Sequence, residues 1–120
     1  MSMAREDQIM GRLQRALDRG GNTHTVADVV EAARRGDAQV WEHGDGIVAT
    51  ELVRYPQRMA LRYWLAAGRL HDLLDLAPRL EDWARGHGAT RVEAVGRRGW
   101  TKYTGALGYQ PAGVLFTKEI

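Results

Sequence analysis

Few side chains in this 120-residue chain can carry out chemistry, because it contains no cysteine. That composition excludes disulfide bonds, thiolate metal sites and cysteine nucleophiles. Histidines, carboxylates, hydroxyl groups and arginines remain. The histidines are too scattered along the sequence for a short metal-binding motif, so we expect no metal and a separate surface position for each. They are His24, His43, His71 and His87.

Arginine supplies all but two of the 17 basic residues, and its guanidinium group binds phosphate or carboxylate groups with two prongs. Arg97 and Arg98 precede a predicted short helix, whose N-terminus would help to bind a phosphate; surface ion pairing is the alternative. Trp100 either fills the core or anchors a partner. No basic stripe is interleaved with aromatic residues, so nucleic acid is not the expected partner.

The composition is that of one soluble domain spanning residues 1–120, with 44% apolar and 27% charged residues. No apolar run is long enough to cross a bilayer, and the first 17 residues lack the apolar stretch of a secretory signal. We therefore expect a cytoplasmic protein with no membrane contact.

Apolar spacing predicts two opening helices within residues 1–36, at Arg5–Asp18 and from Thr25 to Gly36. Thr25 and Asp28 have the spacing of a capping box. The sheet and its crossover helices follow in residues 38–120. A hairpin, Gln39–His43 and Ile47–Tyr55, encloses the Gly44-Asp45-Gly46 turn.

The next strand, Gln57–Ala66, alternates, with Met59, Leu61, Tyr63 and Leu65 on one face. Pro78 interrupts the following helical pattern, so we expect the main helix to begin near Asp75 to Ala77, after a separate turn at Leu70–Leu74. A strand, a short helix and a last strand follow, at Arg91–Gly96, Gly99–Leu107 and Val114–Ile120. The predicted fold class is α/β, with a mixed, mostly antiparallel twisted sheet and helices on both faces.

Three segments carry a resemblance to a known family: the run from Leu80 to Ala89, the strand Val92-Glu93-Ala94-Val95, and Ala106-Leu107-Gly108-Tyr109. In order and spacing they resemble the GNAT acyltransferase superfamily over about residues 38–120, which implies the order α-α-β-β-β-α-β-α-β. The stretch from Gly96 to Trp100 resembles GNAT-like proteins of tailed phages and prophages, some of which are virion or morphogenesis components.

The resemblance implies a loop of the form Gln/Arg-x-x-Gly-x-Gly/Ala, whose backbone N–H groups hold the pyrophosphate of acetyl-CoA. That loop falls at about Gly68 to Leu73, and His71 and Leu73 occupy its glycine positions. A side chain there projects where phosphates must approach, so no cofactor is the expectation. If acetyl-CoA does bind, the implied contacts are Tyr63, Leu65, Gly68 and Arg69.

The family also uses a tyrosine four residues before the Gly108 position as the general acid. Thr104 stands there, with Tyr103 beside it. A threonine hydroxyl is too weak an acid for this step. Glu51 and Glu93 lie on predicted strands where the family often places a general base, although solvent-facing carboxylates are commoner there.

Two functions remain open. The first is a non-catalytic GNAT-fold component that binds a protein partner, such as another virion protein, through Arg97, Arg98, Trp100 and Tyr109. The alternative is an acetyl-CoA-dependent N-acyltransferase acting on a small amine or a protein amine. The expected location is the cytoplasm of a bacterial host or a phage particle, and the sequence predicts no oligomeric state.

Overall fold

The computed structural model describes residues 3–96 and 98–120, with side chains described for 7–96 and 99–120. Two helices open the chain, α1 at Met3–Arg19 and α2 at Val26–Arg35. The predicted capping box of α2 is confirmed: Thr25 Oγ1 accepts from the Asp28 N–H at 3.2 Å, and Asp28 Oδ2 accepts from the Thr25 N–H at 2.8 Å. Two N–H groups that the helix leaves without partners are thereby bonded.

Four strands form one sheet in the order β1-β2-β3-β4. The bounds are Gln39–His43 for β1, Gly46–Arg54 for β2, Met59–Ala67 for β3 and Ala89–Ala94 for β4. The first three strands are antiparallel, whereas β4 runs parallel to β3 and is reached through the crossover helix α3, Leu70–Gly86. The predicted mixed, mostly antiparallel sheet is therefore confirmed.

The sheet buries apolar side chains on both faces. On one face, α1 and α2 pack against the sheet with Leu13, Leu17 and Val29 in the core. On the other, Leu76 and Leu80 of α3 pack against the sheet. Tryptophans join the sheet to the helices: Trp64 packs in the first cluster, and Trp41 and Trp83 meet edge to face in the second, with ring centroids 5.4 Å apart.

The predicted start of the main helix is wrong, because α3 is continuous from Leu70 and contains Pro78. A proline inside a helix removes one backbone hydrogen bond and leaves the carbonyl four residues earlier without that donor. That carbonyl belongs to Leu74, and both Pro78 and Leu74 are exposed, so water can take the place of the missing donor. The apolar stripe on the opposite side keeps the helix together.

The predicted short helix is confirmed in part, as three single-turn pieces. They are a 3₁₀ turn at Arg98–Trp100, the helix α4 at Thr101–Thr104, and a second 3₁₀ turn at Gly105–Leu107. The predicted last strand, Val114–Ile120, is wrong: residues 109–120 form no regular element. Val114 and Phe116 are 75% and 87% exposed, so neither a neighbouring strand nor a packed face stabilises an extended ladder there.

Within the described residues, no helix combines the length and the apolar character needed to cross a membrane.

Candidate functional site

Strands β3 and β4 diverge halfway along β3. Their parallel pairing ends at Tyr63 and Ala94, whereas β3 continues to Ala67. At the same point the pairing of β3 with β2 steps from Thr50–Tyr63 to Ala49–Leu65, which leaves Trp64 as a bulged residue. A bulge of this kind re-aims the side chains that follow it. The strand thus presents an edge, residues 64–67, that lies beyond the β4 pairing.

The bulge also overturns the predicted alternation of β3. Leu61 and Tyr63 face α3, but Leu65 is buried with Leu17 and Val29 on the α1 and α2 side. Tyr63 and Leu65, the two strand residues predicted to contact acetyl-CoA, therefore lie on opposite faces of the sheet. An extra residue in one strand reverses the faces beyond it, because side chains alternate with a period of two.

Two tyrosines meet at the opening between the strands. The hydroxyl groups of Tyr63 and Tyr109 are hydrogen-bonded, although the residues come from β3 and from the segment after α4. Burial is the largest cause that raises the pKa of each phenol, and the nearby charge of Glu81 acts in the same direction. Both hydroxyls are therefore neutral hydrogen-bonding groups at physiological pH. Tyr109 is half-buried here.

The predicted acid residues, Tyr103 and Thr104, both lie on α4. Tyr103 is 40% exposed, and its ring meets that of half-buried Trp100 edge to face, with centroids 6.4 Å apart. Thr104 Oγ1 donates to the Thr101 carbonyl at 3.4 Å, and the Thr104 carbonyl accepts from the Tyr109 N–H at 2.9 Å. Thr104 thus helps to close the turn that brings Tyr109 back to the sheet.

The two predicted base residues are brought together by an arginine. The Arg62 guanidinium lies 3.6 Å from a Glu51 oxygen and 3.1 Å from a Glu93 oxygen. Glu93 also accepts from the Tyr55 hydroxyl at 2.9 Å and pairs with Arg91 at 3.2 Å. Sequence spacing does not reveal this network, because its members come from three strands and the turn after β2.

These contacts set the proton affinity of Glu93. Partial burial raises its pKa, but hydrogen bonds from Tyr55 and Arg62 and the charges of Arg62 and Arg91 outweigh burial, so the pKa lies below its usual value. A carboxylate that already accepts several hydrogen bonds and has a lowered pKa is a poor general base. The network is better suited to join β2, β3 and β4 to one another.

A compact polar contact fills the junction between β3 and α3. Gly68 has φ +113°, and a Cβ there would overlap the backbone carbonyl of Asp45 and lie 2.7 Å from the Gly46 Cα. The turn between β1 and β2 therefore packs directly against this loop. Asp45 extends the contact: its carboxylate lies 3.2 Å from Arg12 and 3.2 Å from Arg69.

The first turn of α3 adds a second carboxylate to the junction. Asp72 Oδ2 accepts from the Asp45 N–H at 3.0 Å. Arg69 is the N-cap residue of α3 and makes no side-chain capping hydrogen bond. Acidic side chains thus surround the N-terminus of α3. Asp45 is paired with arginines, and Asp72 accepts a backbone hydrogen bond.

The sequence-based prediction missed Arg12, Asp45, Tyr55 and Arg62. The position of Asp45 between two glycines predicts a turn and nothing more, and no local pattern indicates that this turn reaches the N-terminus of α3. Arg97 and the side chain of Arg98, predicted as partner-binding, lie outside the described residues.

Comparison with solved structures places this arrangement in a known fold. A Trypanosoma brucei acetyltransferase matches with a TM-score of 0.66 and 11% identity, covering 92% of each chain. A mutant of a Thermus thermophilus protein matches with a TM-score of 0.62 and 15% identity, covering 92% of this chain and 89% of that one. No protein-family profile and no curated relative matches the sequence. The chain has a GNAT-like, mixed α/β fold of the kind that the acetyltransferase adopts.

Proposed function

We propose that this chain is a GNAT-fold binding component that does not use acetyl-CoA, and that it recognises a protein partner. The observation that carries the proposal is the filled junction between β3 and α3. In the family that the sequence resembles, this loop holds a pyrophosphate. Here the Asp45 turn packs against Gly68, and Asp72 stands on the first helical turn.

Charge at the junction argues against a bound diphosphate. Three carboxylates lie there, those of Asp45, Asp72 and Asp75, and the Asp45 carboxylate already pairs with Arg12 and Arg69. A diphosphate needs free N–H donors and unpaired positive charge. Displacing Asp45 from both guanidinium groups would cost the contacts that hold the turn in place.

The groups expected to perform acyl transfer are poorly suited to it. Thr104 is too weak an acid, and its hydroxyl bonds to a backbone carbonyl. Tyr103 packs on Trp100 at the surface. Glu93 is paired with Arg62, and the pKa of Glu93 is lowered. Separate departures at the cofactor, acid and base positions together favour a non-catalytic role.

The exposed apolar side chains support a protein partner. Val95, Val114, Leu115 and Phe116 are 68% to 87% exposed, and Leu107 is half exposed. Large apolar side chains left exposed in the part of the chain after the last strand favour an interaction surface there. A partner within a phage particle stays a prediction from the sequence resemblance.

Calorimetry with acetyl-CoA tests the cofactor part of the proposal, with an active N-acetyltransferase as the positive control. We expect no saturable heat at millimolar ligand and no rise of the thermal midpoint, since a ligand that binds only the folded state must raise it. Micromolar binding with a higher midpoint would overturn the proposal.

Site-specific photo-crosslinking tests the partner part. A photoreactive phenylalanine at Phe116 is expected to give a discrete adduct in the organism that encodes the chain. The matched control carries the same group at Leu74, an exposed leucine on α3. Equal labelling from the two positions, or no adduct from Phe116, would contradict an interaction surface there.

One observation favours the alternative, an acetyl-CoA-dependent N-acyltransferase. The divergence of β3 and β4 leaves an edge at residues 64–67, where backbone groups can pair with an extended ligand. This alternative requires acetyl transfer to an amine, with Tyr103 as the acid. An acetyl-transfer rate that falls at least about tenfold in Tyr103→Phe would establish the alternative, since general acid catalysis contributes on the order of 10²-fold or more to a rate.

A further inference from the structure

A cluster of two histidines and two aspartates lies where the end of β1 meets the first turns of α3. His43 Nε2 and His71 Nε2 each lie 3.4 Å from Asp75 Oδ2. Ligand atoms of His43, Asp72 and Asp75 all lie within 4.8 Å of one another. The cluster thus places nitrogen and oxygen donors from two separate elements around one small volume.

The backbone brings these donors together. His71 and Asp75 are four residues apart on α3, so they share one side of the helix. His43 ends β1, and its position follows from packing of the β1–β2 turn against α3: a Cβ on Gly44 would lie 2.6 Å from the Asp72 carboxylate. Asp72 is oriented by the Asp45 N–H, which donates to Oδ2 and leaves Oδ1 available.

The distances suit a transition metal. Zinc binds histidine nitrogen and carboxylate oxygen at about 2.0–2.2 Å, and the edge of such a tetrahedron is about 3.4 Å. This is the separation of Asp75 Oδ2 from each imidazole nitrogen. His71 is 83% exposed, so its side chain can turn toward the other three. Two carboxylates balance the charge of a divalent ion.

We propose that His43, Asp72 and Asp75 bind one divalent transition-metal ion, with His71 as the fourth ligand. Imidazole nitrogen favours Zn²⁺, Co²⁺ or Ni²⁺ over Mg²⁺ and Ca²⁺, which prefer oxygen ligands alone. Arg12 and Arg69 lie close by, but both pair with Asp45, which limits their repulsion of a cation. The bound ion would fasten the β1–β2 turn to α3. This site does not depend on the proposed partner binding.

Calorimetric titration of the tag-free, metal-stripped chain with Zn²⁺ tests the site. We expect one ion per chain, and at least tenfold weaker binding in His43→Ala and in Asp75→Asn. Tetrahedral ligand-field bands with Co²⁺ are expected in the wild type and lost in both variants. Mg²⁺ is expected not to compete.

The matched control is His24→Ala, which removes a histidine that packs beside Trp64 on the opposite face of the sheet. It should bind Zn²⁺ as the wild type does. Circular dichroism of each variant checks that the fold is intact. The proposal is overturned if the wild type shows no saturable Zn²⁺ binding, or if His43→Ala and Asp75→Asn bind as tightly as His24→Ala.

Discussion

Gly68→Ala is the sharpest test of the junction between β3 and α3. The backbone at Gly68 has φ +113°, where residues with a side chain are strained by about 1–3 kcal/mol. The added Cβ would also overlap the Asp45 carbonyl and press on Gly46, both backbone groups that cannot rotate away. We therefore expect the free energy of unfolding to fall by at least about 3 kcal/mol. This is a large part of the roughly 5–15 kcal/mol that is typical of a whole domain.

Urea unfolding followed by tryptophan fluorescence measures this loss. The control is Gly86→Ala at the end of α3, where a Cβ meets nothing within 4 Å and φ is not in the left-handed range. Removing the flexibility of a helical glycine should leave stability unchanged or raise it by up to about 1 kcal/mol. If the free energy of unfolding of Gly68→Ala lies within about 0.5 kcal/mol of the wild-type value, at an unchanged m value, the turn does not pack against the loop as described.

Three further predictions concern the core and the polar network. Thr50→Val should cost about 1–3 kcal/mol by urea unfolding, because buried Thr50 accepts from Trp41 and donates to Gln39; no loss would show that these bonds contribute nothing. Leu80→Ala should lower the free energy of unfolding by about 2–5 kcal/mol, because Leu80 is fully buried. Leu107→Ala, at a half-exposed position, should lower it by less than about 0.5 kcal/mol. Equal losses from the two variants would contradict the assigned core. The stability that Glu93→Gln removes should be greatest at neutral pH and shrink in acid.

The sign of that last effect follows from the lowered pKa of Glu93 in the folded chain. The unfolded chain binds the proton more readily, so the ionised carboxylate contributes fully above its unfolded pKa of about 4.3 and loses that contribution as pH falls through the folded value. Unfolding of wild type and Glu93→Gln from pH 7 to pH 3 measures the difference. A gap that stays constant or widens in acid would show that the Arg62 contacts do not favour the charged form.

The junction supplies the physical reason for the proposal that this chain does not use acetyl-CoA. The fold supplies a helix N-terminus after β3, but the residues around it decide what it can hold. A glycine-rich loop leaves N–H groups open to an anion. Here the carboxylates of Asp45 and Asp72 crowd that end of α3, and Asp72 is also one of the ligands of the proposed metal site.

Sequence patterns predicted most elements because their signals are local. The capping box at Thr25 needs only two residues three apart, and the turn at Gly44–Gly46 needs only glycine between two β-rich runs. Pro78 misled the prediction of α3, since the cost of an interior proline depends on whether water reaches the freed carbonyl. That depends on which side of the helix faces the solvent.

The failed strand at Val114–Ile120 shows the other limit. Its apolar residues have the propensity of a strand, but a strand also requires a pairing edge and a face to pack on. Residues 109–120 use neither in the described molecule: they pair with no described strand, and Val114 and Phe116 are exposed. Local propensity therefore could not decide the outcome.

The sequence by itself determined the two helical stripes, the hairpin and the mixed fold class. Each of these follows from residue type and short-range spacing. Only the tertiary structure decided which polar groups meet: Arg62 with Glu51 and Glu93, and His43 with Asp75. Such contacts depend on strand register and helix packing, which bring together residues that lie dozens of positions apart in the chain.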